Sequence, residues 1–486
     1  MNKKQPGMAG ILATSILMLS TAQAAPPEWP VITRQDVEFA AHTLASKHIG
    51  AVAGHLHVAE ALKNGLPVAL AEAAAARDEQ DYLRTISRFI YGFGDPHTGI
   101  NLQLKRTGWT GLVIDRVDGQ FKVIWSEKNW PYPLPAQGAT VQSCDGVWLG
   151  TYLQTKVMPY QSHAPEYASS VSEAARNMMF ERGLGLAPQR CVFKLADGRV
   201  QEFALPMQAL QDSGSISEKH ILEVRKNYVA LARDVGVYPL GKSMHWVGMP
   251  SFGVKDGGKA YEKVYASLEK LKQDKWIIFD LRGNGGGDSS WGTRALAALF
   301  GESYSDQLSS MGGYAKFMVA SKESIAWAKN YAADPNFAAS KTVFEKMIPK
   351  LEAALAAGKH TALVSGDDRQ NPQTLLAALG SKPAGPRIAA VIDRNCFSSC
   401  MNFLQQIKAI PGNAILGEST LGYSPYGEID RFKLPSERGY IYIPAAYYLV
   451  AEAAREPFVP GIPYTGNMAD DSKLMAWVEG ILQSMK

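Results

Sequence analysis

Two stretches of this chain limit its possible folds more than any others. One is Trp276-Ile277-Ile278-Phe279-Asp280-Leu281-Arg282-Gly283-Asn284-Gly285-Gly286-Gly287-Asp288, and the other is Ala389-Ala390-Val391-Ile392-Asp393-Arg394-Asn395-Cys396-Phe397-Ser398-Ser399-Cys400-Met401-Asn402-Phe403. Each is a short, uninterrupted apolar run that breaks into polar and small residues. A strand that is apolar at every position is buried on both faces, as in a parallel sheet covered by helices on each side. From about residue 228 to the end, β runs alternate with helical runs, which predicts an α/β domain with a largely parallel sheet. Strands are expected at Met244–Met249, Trp276–Asp280, Ile388–Ile392 and Ile415–Gly417, and helices at Lys259–Gln273, Ser290–Phe300 and Ser399–Ile410. An insert of about 302–382 separates the two motif strands. Its Glu323–Tyr331 and Phe344–Ala357 stretches read as helices, the second kinked or restarted at Pro349, and its length and polarity suit either a cap over a site or a plain structural insertion.

Upstream the texture is different. Apolar positions at helical spacing from about Arg34 to Ile90 predict helices, with Leu83, Ile86 and Ile90 on one face. His48, His55 and His57 fall there; without an acidic partner at ligand spacing they read as exposed imidazoles at a helix end rather than a metal cluster. Between about Thr110 and Leu210 come short β runs with turn signals at Asp118-Gly119, Asp145-Gly146 and Asp197-Gly198. The expected division is 25–106 helical, 107–215 β module and 216–486 α/β core.

The first residues have the layout of a secretory signal. Lys3 and Lys4 precede an apolar run from Met8 to about Leu19, and Thr21-Ala22-Gln23-Ala24 offers a small-residue cleavage site, so 1–24 is expected to be removed. That run is too short for a comfortable membrane span, and no second apolar stretch of spanning length follows. The four cysteines suit the oxidising compartment such a signal implies, periplasmic or secreted. Cys144 and Cys191 share the β region while Cys396 and Cys400 are four apart, which favours those two pairs among three possible connectivities. Removing the two signal lysines takes the net charge from +4 to about +2, and the basic residues are scattered without interleaved aromatics. Neither nucleic acid nor an anionic membrane is indicated as a partner.

The glycine-rich turn at 283–287 permits backbone angles closed to other residues and presents bare N–H groups that suit an oxyanion. It lacks the third glycine of a dinucleotide fingerprint and the Gly-Lys-Ser/Thr of a P-loop. In the second stretch a serine at a strand-to-helix corner exposes its hydroxyl and has the next N–H as an oxyanion donor. On these grounds alone Ser398 or Ser399 could equally be a helix N-cap.

Taken in order, the two stretches resemble the family of C-terminal processing (tail-specific) proteases and the related tricorn core. There a "D-L-R-x-N-x-G-G" segment precedes a serine-rich segment and then "G-E-x-T-x-G". The counterparts here are Asp280 to Gly287, Cys396 to Met401, and Gly417-Glu418-Ser419-Thr420-Leu421-Gly422. The resemblance implies a Clp protease/crotonase-like core, an N-terminal helical segment and a PDZ-like β module, to which Gly138 to Gly146 looks similar. It implies a serine peptidase with Ser398 as nucleophile, Gly286 and Ser399 as oxyanion donors, a polypeptide substrate, and no metal or organic cofactor. A PDZ-like module would take an extended peptide at a sheet edge.

The tail-specific branch has its lysine base directly after the last glycine of "G-E-x-T-x-G", where this chain has Tyr423, a poor base at neutral pH. The tricorn-like branch uses a histidine in a "D-x-H-T/S" segment, similar to Gly94-Asp95-Pro96-His97-Thr98, so His97 is the expected base. That branch also carries a late glutamate that orients the site. Glu456 is the candidate, with Glu418 and Glu428 as competitors. Pro96 stands where the tricorn core has a relay serine, so the relay is either shorter or uses Thr98. The competing class is a catalytically silent periplasmic protein that keeps the fold to bind peptides or an apolar ligand.

Overall fold

The computed structural model describes residues 28–254, 257–450 and 457–485; the expected signal peptide, 1–24, lies outside them. The core is a six-stranded sheet in the order Gly236–Pro239, Met244–Gly248, Trp276–Asp280, Arg387–Ile392, Ala414–Gly417, Ile462–Pro463. The first pair is antiparallel and every later pair is parallel. Strand parity explains why the apolar runs are unbroken. Ile277, Phe279, Ile388 and Ala390 pack with residues of the helices Lys259–Leu268, Ser290–Phe300 and Ser399–Ala409. Trp276, Ile278, Ala389 and Val391 pack on the other side with Leu474, Val478 and Leu482 of the C-terminal helix Asp471–Ser484. Each side therefore removes a full set of alternate side chains from water.

The N-terminal helices Trp29–Lys47, Leu56–Ala74 and Glu79–Tyr91 form as the periodicity requires, and Leu83, Ile86 and Ile90 are all buried. His48 overturns the expectation of exposed imidazoles. It is fully buried, and its Nδ1 accepts from Gly50 N at 2.9 Å to cap the short helix Ile49–Val52. In the β module, five strands from Leu112–Val117 to Val200–Ala204 pair antiparallel in chain order, with helical stretches and the short strands Val147–Trp148 and Phe180–Glu181 falling between the third and the fourth. Asp118-Gly119 and Asp145-Gly146 both have positive φ at both residues, the conformation that two-residue hairpins need. Cys144 lies opposite Cys191 on paired strands and is bonded to it.

The insert is more than helical. It contributes the strands Ala315–Val319 and Thr361–Gly366, and the first pairs with Tyr440–Leu449 of the C-terminal region. The strand Tyr426–Lys433 pairs with the opposite edge of Tyr440–Leu449. The insert's helix Lys341–Ala356 continues through Pro349, so of the expected kink or restart there it does not restart. The insert is thus woven into a second sheet beside the core, and it walls one side of the cleft described next.

Candidate active site

The chain leaves Arg387–Ile392 through a turn that brings Ser398 to φ 56°, ψ −122°, just before the helix Ser399–Ala409. A side-chain-bearing residue reaches such angles only when its surroundings enforce them, and here several contacts do. The Asp393 carboxylate accepts from Gly283 N (2.9 Å), Asn395 N (3.1 Å) and Asn395 Nδ2 (2.7 Å). Phe397 N donates to Asn284 O at 3.1 Å, and the Cys396–Cys400 disulfide spans the serine from both sides. Burial pushes the Asp393 carboxyl up to about 6.

The two serines are not equivalent. Ser399 is buried, and its hydroxyl donates to Gly287 O at 2.6 Å and accepts from Ser289 Oγ at 2.9 Å. Ser398 is half-buried and lines the cleft, with no side-chain hydrogen bond among the described residues. The Ser399 N–H, at the first helical position, is one of those a helix cannot satisfy internally.

The glycine turn is anchored by a fully buried ion pair in which Arg282 donates twice to Asp280 (2.8 and 2.7 Å) while Trp246 Nε1 donates to the same carboxylate at 3.0 Å. Gly286 has φ 99° and lies against the serine corner. Its N–H is not bare, as expected from sequence, but donates to Asn284 Oδ1 at 2.9 Å. A substrate oxygen there would have to share it.

His97 arrives from the N-terminal part of the chain. Its backbone N–H donates to Asp95 Oδ1 at 3.1 Å, Thr98 Oγ1 donates to Asp95 Oδ2 at 2.6 Å, and Ser424 Oγ donates to the same carboxylate. Thr98 thus serves Asp95 rather than the His97 ring. The ring packs on Phe397, the neighbour of Ser398, with centroids 4.6 Å apart. Both residues line one cleft of about 790 Å³ with Gly285, Gly287 and Tyr423. Burial lowers the imidazole below its usual range, opposed by Asp95, by Glu428 and by a backbone hydrogen bond with Tyr426. His97 Nδ1 is buried and unpartnered among the described residues.

Of the glutamate candidates, Glu456 lies outside the described residues. Glu418 is engaged by Arg394 (Nη2 at 2.5 Å, Nε at 3.1 Å). Glu428 does line the cleft, bound to Lys316 and to Tyr448 OH (2.8 Å). Lys316 was invisible to motif reading because it sits in the insert, outside every matched segment. His48, His55 and His57 gather around Tyr426, whose hydroxyl is 2.8 Å from His55 Nδ1 and 3.0 Å from His57 Nε2.

Residues 244–462 match the model of peptidase family S41. The structure of mature CPAF complexed with lactacystin aligns with a TM-score of 0.64 at 13% identity, covering 94% of this chain and 99% of that one. Mature CPAF itself gives 0.62 at 13% identity, over 94% and 98%. At such identity the likeness shows a shared fold. No curated protein sequence matches. Fold and family model together define a serine-type peptidase on a Clp protease-like core. Over residues 244–462 the chain is similar to peptidase family S41.

Proposed function

We propose that this chain is an exported peptidase that cleaves peptide bonds through an acyl-enzyme on Ser398, with His97 as general base. One observation carries the reading: a serine held at a strained strand-to-helix corner shares a cleft with a buried imidazole packed on its neighbouring side chain. His97 takes the Ser398 proton as Oγ attacks the substrate carbonyl carbon. The developing oxyanion is met by the Ser399 N–H and by the Gly285–Gly287 turn, where the Gly286 N–H is shared with Asn284. The imidazolium returns its proton to the leaving amine, and water activated by the same histidine then releases the acyl group. His97 Nδ1, which has no partner among the described residues while the Tyr426 backbone holds the ring's other nitrogen, is the nitrogen assigned to take the Ser398 proton, and Glu456 is proposed as the carboxylate that completes the site. Lys316 is engaged by Glu428, so it is not assigned the role of base.

Export is supported by the signal-like N-terminus, by two disulfides, and by the finding that among the described residues no helix is long and apolar enough to cross a membrane. The PDZ-like assignment of the β module draws support from its antiparallel order and Asp-Gly turns. Its helix Ala168–Asn177 is fastened to the core, Ser169 Oγ donating to Thr420 O (2.7 Å) and Ser170 Oγ to Leu421 O (3.0 Å). A module so placed would present a polypeptide end to the cleft. The test is labelling by a serine-reactive fluorophosphonate followed by peptide mapping. A mass increment on Ser398, absent from Ser398→Ala, is expected; an unlabelled wild type would favour the silent binding protein.

A further inference from the structure

The insert places a charged pair in the cleft that the mechanism above does not use. Lys316, on the strand Ala315–Val319, is buried, with its Nζ bound to the Glu428 carboxylate. Aromatic faces surround it, with Tyr448 5.4 Å and Trp327 5.9 Å from Nζ to ring centroid. Glu428 has φ 53° and stands between the pairs Gly427↔Ala446 and Ile429↔Pro444, where the antiparallel register runs on unshifted. A glutamate held in a left-handed conformation costs energy and points to a role beyond the strand. It lies two residues beyond Tyr426, whose backbone is hydrogen-bonded with His97, and it lines the same cleft as that ring.

We propose that Glu428 and Lys316 are positioning residues for the base: Glu428 stabilises the imidazolium that His97 forms when it takes the serine proton, and Lys316 limits how strongly it does so. The proposal rests on the reading of His97 as the base. A carboxylate that lines the same cleft as a buried imidazole is poorly screened from it, so its charge acts on the proton-transfer step itself. The ammonium, drawn from a segment outside the family motifs, offsets part of that field. The insert would thereby set the acidity range in which the peptidase works.

Other ionisable groups face the pair and the ring. Asp95 and His48 act from behind His97, His163 comes from the β module, and Tyr331, Tyr448 and Asp430 surround Glu428. None of these is changed in the variants below, so their contribution is common to every profile.

The sign is opposite for the two partners. Glu428→Gln removes the stabilising charge and leaves the Lys316 ammonium uncompensated in the cleft, so the acid limb of the rate profile moves to lower pH. Lys316→Met releases the full field of Glu428, so the limb moves to higher pH. On the shared acid slope each pH unit is roughly tenfold in rate, and the two variants should differ by at least about threefold there, with Lys316→Arg close to wild type.

The experiment is kcat/KM from pH 4.5 to 8 on one peptide substrate, with thermal melts as a folding control. Opposite displacements support the pair. Limbs that coincide with wild type, or that move in the same direction, overturn it. Should Lys316→Met fail to fold, the nearly isosteric Glu428→Gln decides alone: a lowered limb supports the proposal and an unmoved one overturns it. His97→Ala separates the two claims. If that variant keeps the wild-type rate and limb, the assignment of the base has failed, whatever the pair does.

Discussion

Gly286 and Ser398 are so close that a Cβ built on the glycine would lie 2.8 Å from the serine Cβ and 3.0 Å from Ser399 N. The φ of 99° at Gly286 is itself closed to most side chains. The glycine turn and the serine turn are therefore fitted to each other, and in the proposed mechanism the substrate's carbonyl oxygen is received beside them. Gly286→Ala is expected to lower kcat by about two orders of magnitude or more, comparable to loss of an oxyanion donor. The measurement is kcat against melting temperature. A variant with wild-type turnover would show that the close approach has no part in catalysis.

Ser398→Ala should abolish hydrolysis without unfolding the protein, since the half-buried hydroxyl makes no side-chain hydrogen bond among the described residues. Ser399→Ala should keep measurable activity but lose stability. Its buried hydroxyl is the donor to Gly287 O, and leaving that carbonyl unpaired costs about 1–3 kcal/mol. Activity and denaturant midpoint on both variants separate the roles. The register is wrong if Ser399→Ala is dead and Ser398→Ala is active.

What could be read from sequence and what could not divides along the range of the interactions. The parallel strands were legible at Trp276–Asp280 and near Arg387–Ile392 because burial on both faces leaves an unbroken apolar run. The hairpins were legible at Asp118-Gly119 and Asp145-Gly146 because positive φ restricts the residue choice. Ala315–Val319 was not, because its partner, Tyr440–Leu449, lies far along the chain and the stretch has no alternation of its own. The burial of His48 and the joining of Lys316 to Glu428 are likewise products of distant packing. The Gly286 N–H looked bare because nothing in the sequence says that Asn284 folds its side-chain oxygen back onto it.

Asp393 gives a prediction about stability. Its folded pKa of about 6 lies above the unfolded carboxylate value, so protonation is favoured in the native state. The stability it contributes is fully present below about pH 4 and is lost as pH rises through 6, on the order of 2–3 kcal/mol. Other carboxylates slope the opposite way, so the difference between proteins is the quantity to measure. Asp393→Asn should remove this component, so wild type minus variant should become less favourable between pH 4 and 7. Parallel urea titrations across that range check it, and a pH-independent difference would refute the shift.

The last prediction concerns the base. His97 is buried, and burial lowers its proton affinity first of all, with Asp95, Glu428 and the Tyr426 backbone pulling the other way. A base works in its neutral form, so a lowered value extends activity to the acid side of the ordinary histidine range, and the acid limb should fall below about 6.5. His97→Ala should cost about 10²–10⁴-fold in kcat, the usual contribution of general-base catalysis. Tyr423 stands where the tail-specific branch has its lysine and lines the same cleft. A phenol with a reference value near 10 is protonated at neutral pH and cannot accept the Ser398 proton, so Tyr423→Phe should cost far less. Measuring both variants on one substrate, with fluorophosphonate labelling as a second readout, compares the two directly. If Tyr423→Phe is inactive and His97→Ala turns over like wild type, the proton leaves Ser398 by another route and the histidine-using assignment fails.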